Sequence, residues 1–475
     1  MKRLCRAAFG ILLAAISLAL ALTANAEKYD SVRTLPDEYR LDVELGIYDY
    51  GSIDALADQS RYKSVKLPAG TFIRVTAWED IGYLEVTFFK YAADYTIWAD
   101  GDEIERNYGF VHDCTALPEG SRNLQLYFPN GAELSEITAY RSGEPPAELQ
   151  LWNPPLDNGC DVLAFPTHAD DDVLFMGALI ASARSEGRTV QACFITNHYD
   201  TAERTHEALD GLWALGVRNY PIIGSFPDLY SRSLRYAESQ YDTDAMRGYI
   251  VESIRRFKPL VVLGHDFDGE YGHGAHMLSA KLLSEAVTLT DDPNYYPESY
   301  EKYGGYTPCK LFIHFYKQNS FTFDAKAPSE RLGGKSPFEI AEYAYTFHKT
   351  QHKWDFAVTD YGTLDCRKWG LYFSTVGYDV EANDIFCNIP IPVSETINEV
   401  LSEYECQTFV LRDIVADSAV IYDRSGNEAD SKLAALKTVR APESMMLTAA
   451  ALCGMLLLVA LIQSIFLLVK NRNSR

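Results

Sequence analysis

Between Asp161 and Gly264 short apolar runs alternate with longer amphipathic stretches, and no other feature narrows the fold as much. "DVLAFPT" leads into a helical pattern ending near Glu186, "VQACFIT" into one carrying "ERTHEALDGLWALG", and "MRGYIVESIRRF" precedes "PLVVLG". Apolar runs this short and continuous suit strands buried on both faces, and the stretches between them are long enough for crossover helices. The pattern predicts an α/β domain around a parallel sheet. Upstream, from about residue 35 to 142, the rhythm has period two. "FIRVTAW", "YLEVTFF", "DYTIWAD", "NLQLYF" and "SEITAYR" are separated by turn residues at the spacing of a small antiparallel β-sandwich. "SGEPPAE" reads as the linker. The expected domains are therefore a β-sandwich over 27–148 and the α/β domain over 149–422. After Phe321 the latter carries a C-terminal extension, with a helix "SPFEIAEYAYTFHKTQHKW" and aromatic-rich, strand-like pieces.

The ends of the chain read as targeting segments. Lys2, Arg3 and Arg6, an apolar centre and "ANA" ending at Ala26 make a secretory signal peptide over 1–26. Met445 to Val469 is an apolar run of 25 residues whose only polar members are Thr448, Gln463 and Ser464, long enough to span a bilayer. A polar stalk over 423–444 precedes it. A basic tail over 470–475 follows, which predicts a cytoplasmic C-terminus. The expectation is a single-pass membrane protein with its ectodomain outside, on a bacterial exterior since no Asn-x-Ser/Thr site occurs. A net charge of −23 disfavours nucleic acid as a partner. Seven widely spaced cysteines between signal and span, with no CxxC, make neither a disulfide framework nor a zinc ribbon.

At the end of the first buried strand stands "THADDD", three adjacent carboxylates after a histidine. In an open parallel sheet, functional groups gather at the carboxyl ends of strands. Capping of the following helix accounts for one acid there, not for three beside a histidine. A divalent cation would absorb their mutual repulsion, and His168 and Asp171 are spaced to turn towards one point. A further ligand must then come from elsewhere. The segment "HDFDGEYGHGAHM", beyond the strand "PLVVLG", offers His265, His273 and His276.

"THADDD" followed by "YGHGAH" resembles the PIG-L/LmbE-type N-acetylglucosaminyl deacetylases, whose hallmarks are His-Pro-Asp-Asp-Glu and a later His-x-x-His. The resemblance covers about residues 158 to 320, extending towards 390. It implies a Rossmann-like sheet, a zinc ion (Zn2+) and hydrolysis of an N-acetyl group from an amino sugar. Carried over by position, it makes His168, Asp171 and His276 the metal ligands and Asp170 the general base. His273 matches the histidine that assists the transition state and protonates the leaving amine, and Tyr271 a tyrosine that contacts the oxyanion. Arg204 matches a substrate contact and Asp228 an acid that binds sugar hydroxyls. Two positions depart from the pattern. Ala169 stands for the proline, which loosens the turn, and Asp172 for the glutamate, which shortens a supporting contact by one methylene.

Other signals carry less. "THEALD" lacks the second histidine of a metalloprotease motif, so His206 is expected to be an exposed helix residue. His348 and His352, four apart, are expected on the polar face of a helix, and Cys193 as buried filler. The aromatics Trp78, Tyr95, Trp98 and Tyr108 of the sandwich suit a core or a sugar-stacking surface. The function expected is zinc-dependent deacetylation of an N-acetylglucosamine-type sugar in an extracellular glycan or glycoconjugate. The alternative is an inactive cell-surface glycan-binding protein on the same scaffold.

Overall fold

The structure, a computed structural model, describes residues 39–390 apart from 48–52, 62, 105–108 and 199–200. The expected signal peptide, stalk, membrane span and tail lie outside the described residues, as do Tyr108 and Cys406. Among the described residues no helix is long and apolar enough to cross a membrane.

From Arg40 to Arg141 the chain forms two five-stranded antiparallel sheets. Along the strand Asn123–Phe128, Leu124, Leu126 and Phe128 are buried while Asn123 and Gln125 are exposed. That alternation is why this half was legible as a sandwich. The inward residues of both sheets, among them Ile73, Val75, Leu84, Val86, Ile97 and Leu126, make one core.

The α/β part is a seven-stranded sheet. Its strands are β1 (Cys160–Ala164), β2 (Val190–Asn197), β3 (Ile222–Pro227), β4 (Pro259–Gly264), β5 (Lys310–His314), β6 (Ser320–Thr322) and β7 (Lys368–Ser374). Their order is β3-β2-β1-β4-β5-β7-β6. The first five are parallel, and β7 runs antiparallel to both β5 and β6. Every residue of β2 and of β5 is buried, as apolar runs covered on both faces demand. Strand order reverses at β1, between β2 and β4, and this is where an open sheet leaves a crevice at its carboxyl edge.

Eight helices cover the sheet: α1 (Asp171–Leu174), α2 (Gly177–Ser185), α3 (Ala202–Ala214), α4 (Leu234–Gln240), α5 (Thr243–Phe257), α6 (Gly274–Ala286), α7 (Pro297–Tyr303) and α8 (Pro337–Tyr345). Three local expectations are corrected. The single helix after "THADDD" is broken at Phe175 and Met176 into α1 and α2. The helix expected to run on to Trp354 ends at Tyr345, after a Ser336/Glu339 capping box, and a 3-10 turn follows at Lys349–Gln351. Of the strand-like pieces after Phe321, only β7 is a full strand among the described residues.

Candidate metal centre and active site

Backbone hydrogen bonds carry the β1 chain past its last strand residue. Phe165 N–H bonds to Leu263 O (3.1 Å), and Ile195 and Thr196 N–H to Pro166 O and Thr167 O (both 3.0 Å). The turn His168–Asp170 is thus presented at the crevice by both neighbouring strands. Asp170 lies at φ 131, a region that side chains other than glycine's rarely adopt. The surroundings fix it there. Its N–H reaches Asp172 Oδ1 (3.2 Å), its carbonyl accepts from Val173 and Leu174, and its Oδ1 accepts from Arg204 Nη2 (3.1 Å). Ala169 O accepts from the same Nη2 (2.7 Å). The Ala169 N–H, which a proline would lack, donates to His198 Nε2 at 2.8 Å. The turn is therefore pinned where loosening was expected.

Four adjacent strands each deliver a histidine at or just past their carboxyl ends: His168 from β1, His198 from β2, His265 from β4 and His314 from β5. All are buried. His273 and His276 come from the start of α6, where His273 is the N-cap. Gly274 between them is required, because a Cβ there would stand 2.2 Å from Ser233 O.

His168 Nδ1, Asp171 Oδ2 and His276 Nε2 face one point. Their separations are 3.1 Å (His168–Asp171), 3.0 Å (His168–His276) and 3.2 Å (His276–Asp171). Atoms bound to one tetrahedral zinc at about 2.0–2.1 Å stand roughly 3.3 Å apart, so the set fits such an ion with little adjustment. The outer partner of His276 agrees with this. His276 Nδ1–H donates to Glu270 Oε2 at 2.7 Å, turning the Nε2 lone pair inward. The outer nitrogen of His168, Nε2, lies 3.5 Å from Asp228 Oδ1. Burial opposes charging His276, but Asp171 and Glu270 outweigh it and raise its pKa to about 10. These two buried carboxylates favour positive charge here, which a metal ion at Nε2 would supply in place of the ring's second proton.

Among the described residues the clusters able to hold an ion are His168, His273 and His276, and Asp171, His265 and His276. They share His276 and form one site. Within it His265 is excluded as a ligand, since Nε2 accepts from Thr167 N–H (3.0 Å) and Nδ1 pairs with Glu270 Oε1 (3.1 Å). His273 Nδ1 accepts from Ala275 N–H (3.2 Å), so the neutral ring carries its proton at Nε2. Burial keeps it neutral, lowering its pKa to about 2. Burial also pushes the Asp170 carboxyl well above the carboxylate range, against the pull of Arg204.

The other expected site residues are placed as follows. Tyr271 is half-exposed at the mouth, with ring centroids 5.7 Å from His273 and 5.6 Å from His276. Arg204 and Asp228, expected on substrate, are bonded to each other and to the site itself: Arg204 to Ala169 and Asp170, Asp228 to His198 Nδ1 (3.2 Å). The guanidinium holds the turn through Nη2 and Asp228 through Nη1, and of the two side chains Asp228, 31% exposed against 11%, keeps the larger surface for a sugar. Three buried residues were missed: Glu270, which binds His265, His276 and His314, and the histidines His198 and His314. His206 and His348 are buried, not exposed, because neighbouring segments cover them.

The GlcNAc-PI de-N-acetylase (PIG-L) family matches residues 163–287. A 1D-myo-inositol 2-acetamido-2-deoxy-alpha-D-glucopyranoside deacetylase of Catenulispora acidiphila is 24% identical over 164 residues, covering 29% of this chain and 51% of that protein. A protein of the same name from Streptomyces avermitilis is 27% identical over 165 residues, 29% of this chain and 56% of its own length. The chain thus spans about half the length of these relatives. Among solved structures, the N,N'-diacetylchitobiose deacetylase of Pyrococcus horikoshii is similar over 42% of this chain and 75% of that one, at 17% identity and TM-score 0.33. The resemblance drawn from "THADDD" and "YGHGAH" holds, and residues 163–287 are a domain of the PIG-L family.

Proposed function

We propose that this chain deacetylates an N-acetylglucosamine-type amino sugar, with one zinc ion held by His168, Asp171 and His276. The observation that carries the proposal is the convergence of those three atoms within 3.0–3.2 Å of one another, with the His276 ring oriented by Glu270. A divalent ion held there supplies Lewis-acid polarisation of the amide and acidifies water beside it. Asp170, which burial alone would keep protonated and a neighbouring cation would return to the carboxylate, takes the proton of the attacking water. His273 offers Nε2–H to the developing oxyanion, with Tyr271 beside it. Because Nδ1 of His273 is committed as an acceptor, the proton the leaving amine needs is the one Asp170 has taken. Acetate and a free amine result. Asp172, though shorter than glutamate, still accepts the Asp170 N–H, which supports an active site over an inactive scaffold.

The sequence outside the described residues leads us to place the enzyme on a bacterial exterior, tethered by one C-terminal span, with a glycan or glycoconjugate as substrate. Metal analysis of the purified protein, with acetate release from N-acetylglucosamine and its oligomers, tests the activity. A metal-free protein, or one that releases no acetate when loaded, would reject it. A full-length chain that stays in the aqueous phase without detergent would reject the tether.

A further inference from the structure

The centre accounts for one acetamido group, but its surroundings extend further. Tyr230, in the loop after β3, meets His273 edge-on with ring centroids 5.3 Å apart. Phe356, from the segment after α8, packs against Tyr271 with ring centroids 5.0 Å apart. Trp354 stands two residues before Phe356. Tyr230 is 68% exposed, Trp354 55% and Tyr271 41%, while none of the three proposed ligands exceeds 5%. Single exposed aromatics are common, but here Tyr230 and Phe356 converge from separate segments on His273 and Tyr271, and Trp354 stands exposed beside Phe356 in the chain.

We infer that Tyr230, Tyr271, Trp354 and Phe356 form a sugar-stacking rim, with subsites for the rings on either side of the one being deacetylated. The substrate is then an oligomeric glycan in preference to a monosaccharide. The inference rests on the deacetylase reading of the centre. A pyranose ring presents C–H groups on its faces and hydroxyls at its edge. It therefore matches flat side chains whose polar tips reach water, as those of tyrosine and tryptophan do. An acyl chain would ask for aliphatic walls, and none of the exposed large side chains in these segments is aliphatic. Trp354 and Phe356 lie beyond residues 163–287, so that half of the rim belongs to the extension of this chain, while Tyr230 and Tyr271 stand inside the shared domain.

The test compares N-acetylglucosamine with its tetramer, in binding by calorimetry and in acetate release, for the wild type and for Tyr230→Ala, Phe356→Ala and Trp354→Ala. Trp354 is exposed enough that its variant keeps the fold, which thermal melting verifies. The tetramer should bind at least about tenfold more tightly than the monosaccharide. Each variant should lower the tetramer-to-monomer ratio of kcat/KM about five- to tenfold. Equal binding of both sugars, or a ratio unmoved by all three variants, would overturn the rim. So would affinity for alkyl glycosides that follows alkyl length instead of sugar number. Rim-dependent tetramer binding without acetate release from any sugar would keep the rim and reject the deacetylase. Equally efficient release from both sugars would do the reverse.

Discussion

The carboxylate proposed to hold the metal and the one proposed to take a proton stand side by side at Asp171 and Asp170, and they differ in what else each touches. Asp171 Oδ2 faces His168 and His276, whereas Asp170 Oδ1 takes an N–H of Arg204. Asp170→Asn should therefore keep its zinc and lose about 10²–10⁴-fold in turnover. Metal loss in that variant would show base and ligand to be exchanged. His276→Ala should purify with little metal, because two ligands are too few for a catalytic zinc. His273→Ala should keep its zinc and fall about 10²–10³-fold in kcat, the worth of one oxyanion donor. Equal zinc in the two variants would sink the division. Glu270→Gln keeps the volume but puts an amide N–H against histidine N–H groups. It should weaken zinc binding about 10- to 100-fold in competition with a chelator, and unchanged affinity would mean that Glu270 does not orient His276. The proposed ligands were legible because they lie in two short local motifs. His198 and His314 were not, because each is solitary in sequence and gains meaning only once the strand order brings the strand ends together. Glu270, though it directly precedes the second motif, shows its role only when His265, His276 and His314 close around it.

Helix α3 shows why element-level reading went wrong at His206. Its spacing gives it two working sides. Arg204 and Gly211, seven apart, face the active-site turn and the segment after α8, while His206 and Asp210 face the sandwich. A helix with one apolar stripe is expected to expose its polar residues to water, yet here both polar sides are covered by other elements. Gly211 is the sharpest consequence. Ala in place of Gly within a helix normally gains about 1 kcal/mol. At 211, however, a Cβ would stand 2.7 Å from His348 Nε2 and 3.2 Å from Val173 Cγ2. His348 is wholly buried, so its ring cannot simply swing into water. Gly211→Ala should therefore lower stability by about 1–3 kcal/mol, the usual effect of overpacking. In a His348→Ala background the same change should be neutral or stabilising. Denaturant unfolding of the four-member cycle measures this, and additive effects would reject the contact. The α/β core itself was legible, because continuous apolar runs leave little choice but buried parallel strands.

Between the sandwich and the α/β sheet lies a polar junction that no local pattern announces. His206 Nε2–H donates to Phe89 O (3.1 Å), and its Nδ1 meets His112 Nε2 at 2.7 Å. Arg61 and Gln150 hold the two oxygens of Asp210 at 2.8 and 2.7 Å. The strands on either side were predictable, but this docking depends on residues 94 and 149 positions apart, beyond the reach of periodicity. Its pH dependence follows from His206. Burial, then the Arg61 charge, lowers its pKa to about 4, against weaker pulls from Asp210 and Glu85. In the unfolded chain it titrates near 6.5. As pH falls below that value the unfolded chain binds a proton that the fold refuses. Stability from this group is therefore full above about 6.5 and is lost progressively towards about 4, by up to about 3 kcal/mol. Total stability will not display this cleanly, because Glu136 and Glu207, raised by burial to about 7, act in the opposite sense. Their folded forms bind protons first, which stabilises the fold as pH drops over the same window. The difference between wild type and His206→Gln cancels those terms. The variant should lose less stability than the wild type between pH 6.5 and 4.5, with the gap widening as pH falls. Parallel pH profiles for the two proteins would mean that His206 is protonated alike in the folded and unfolded chain.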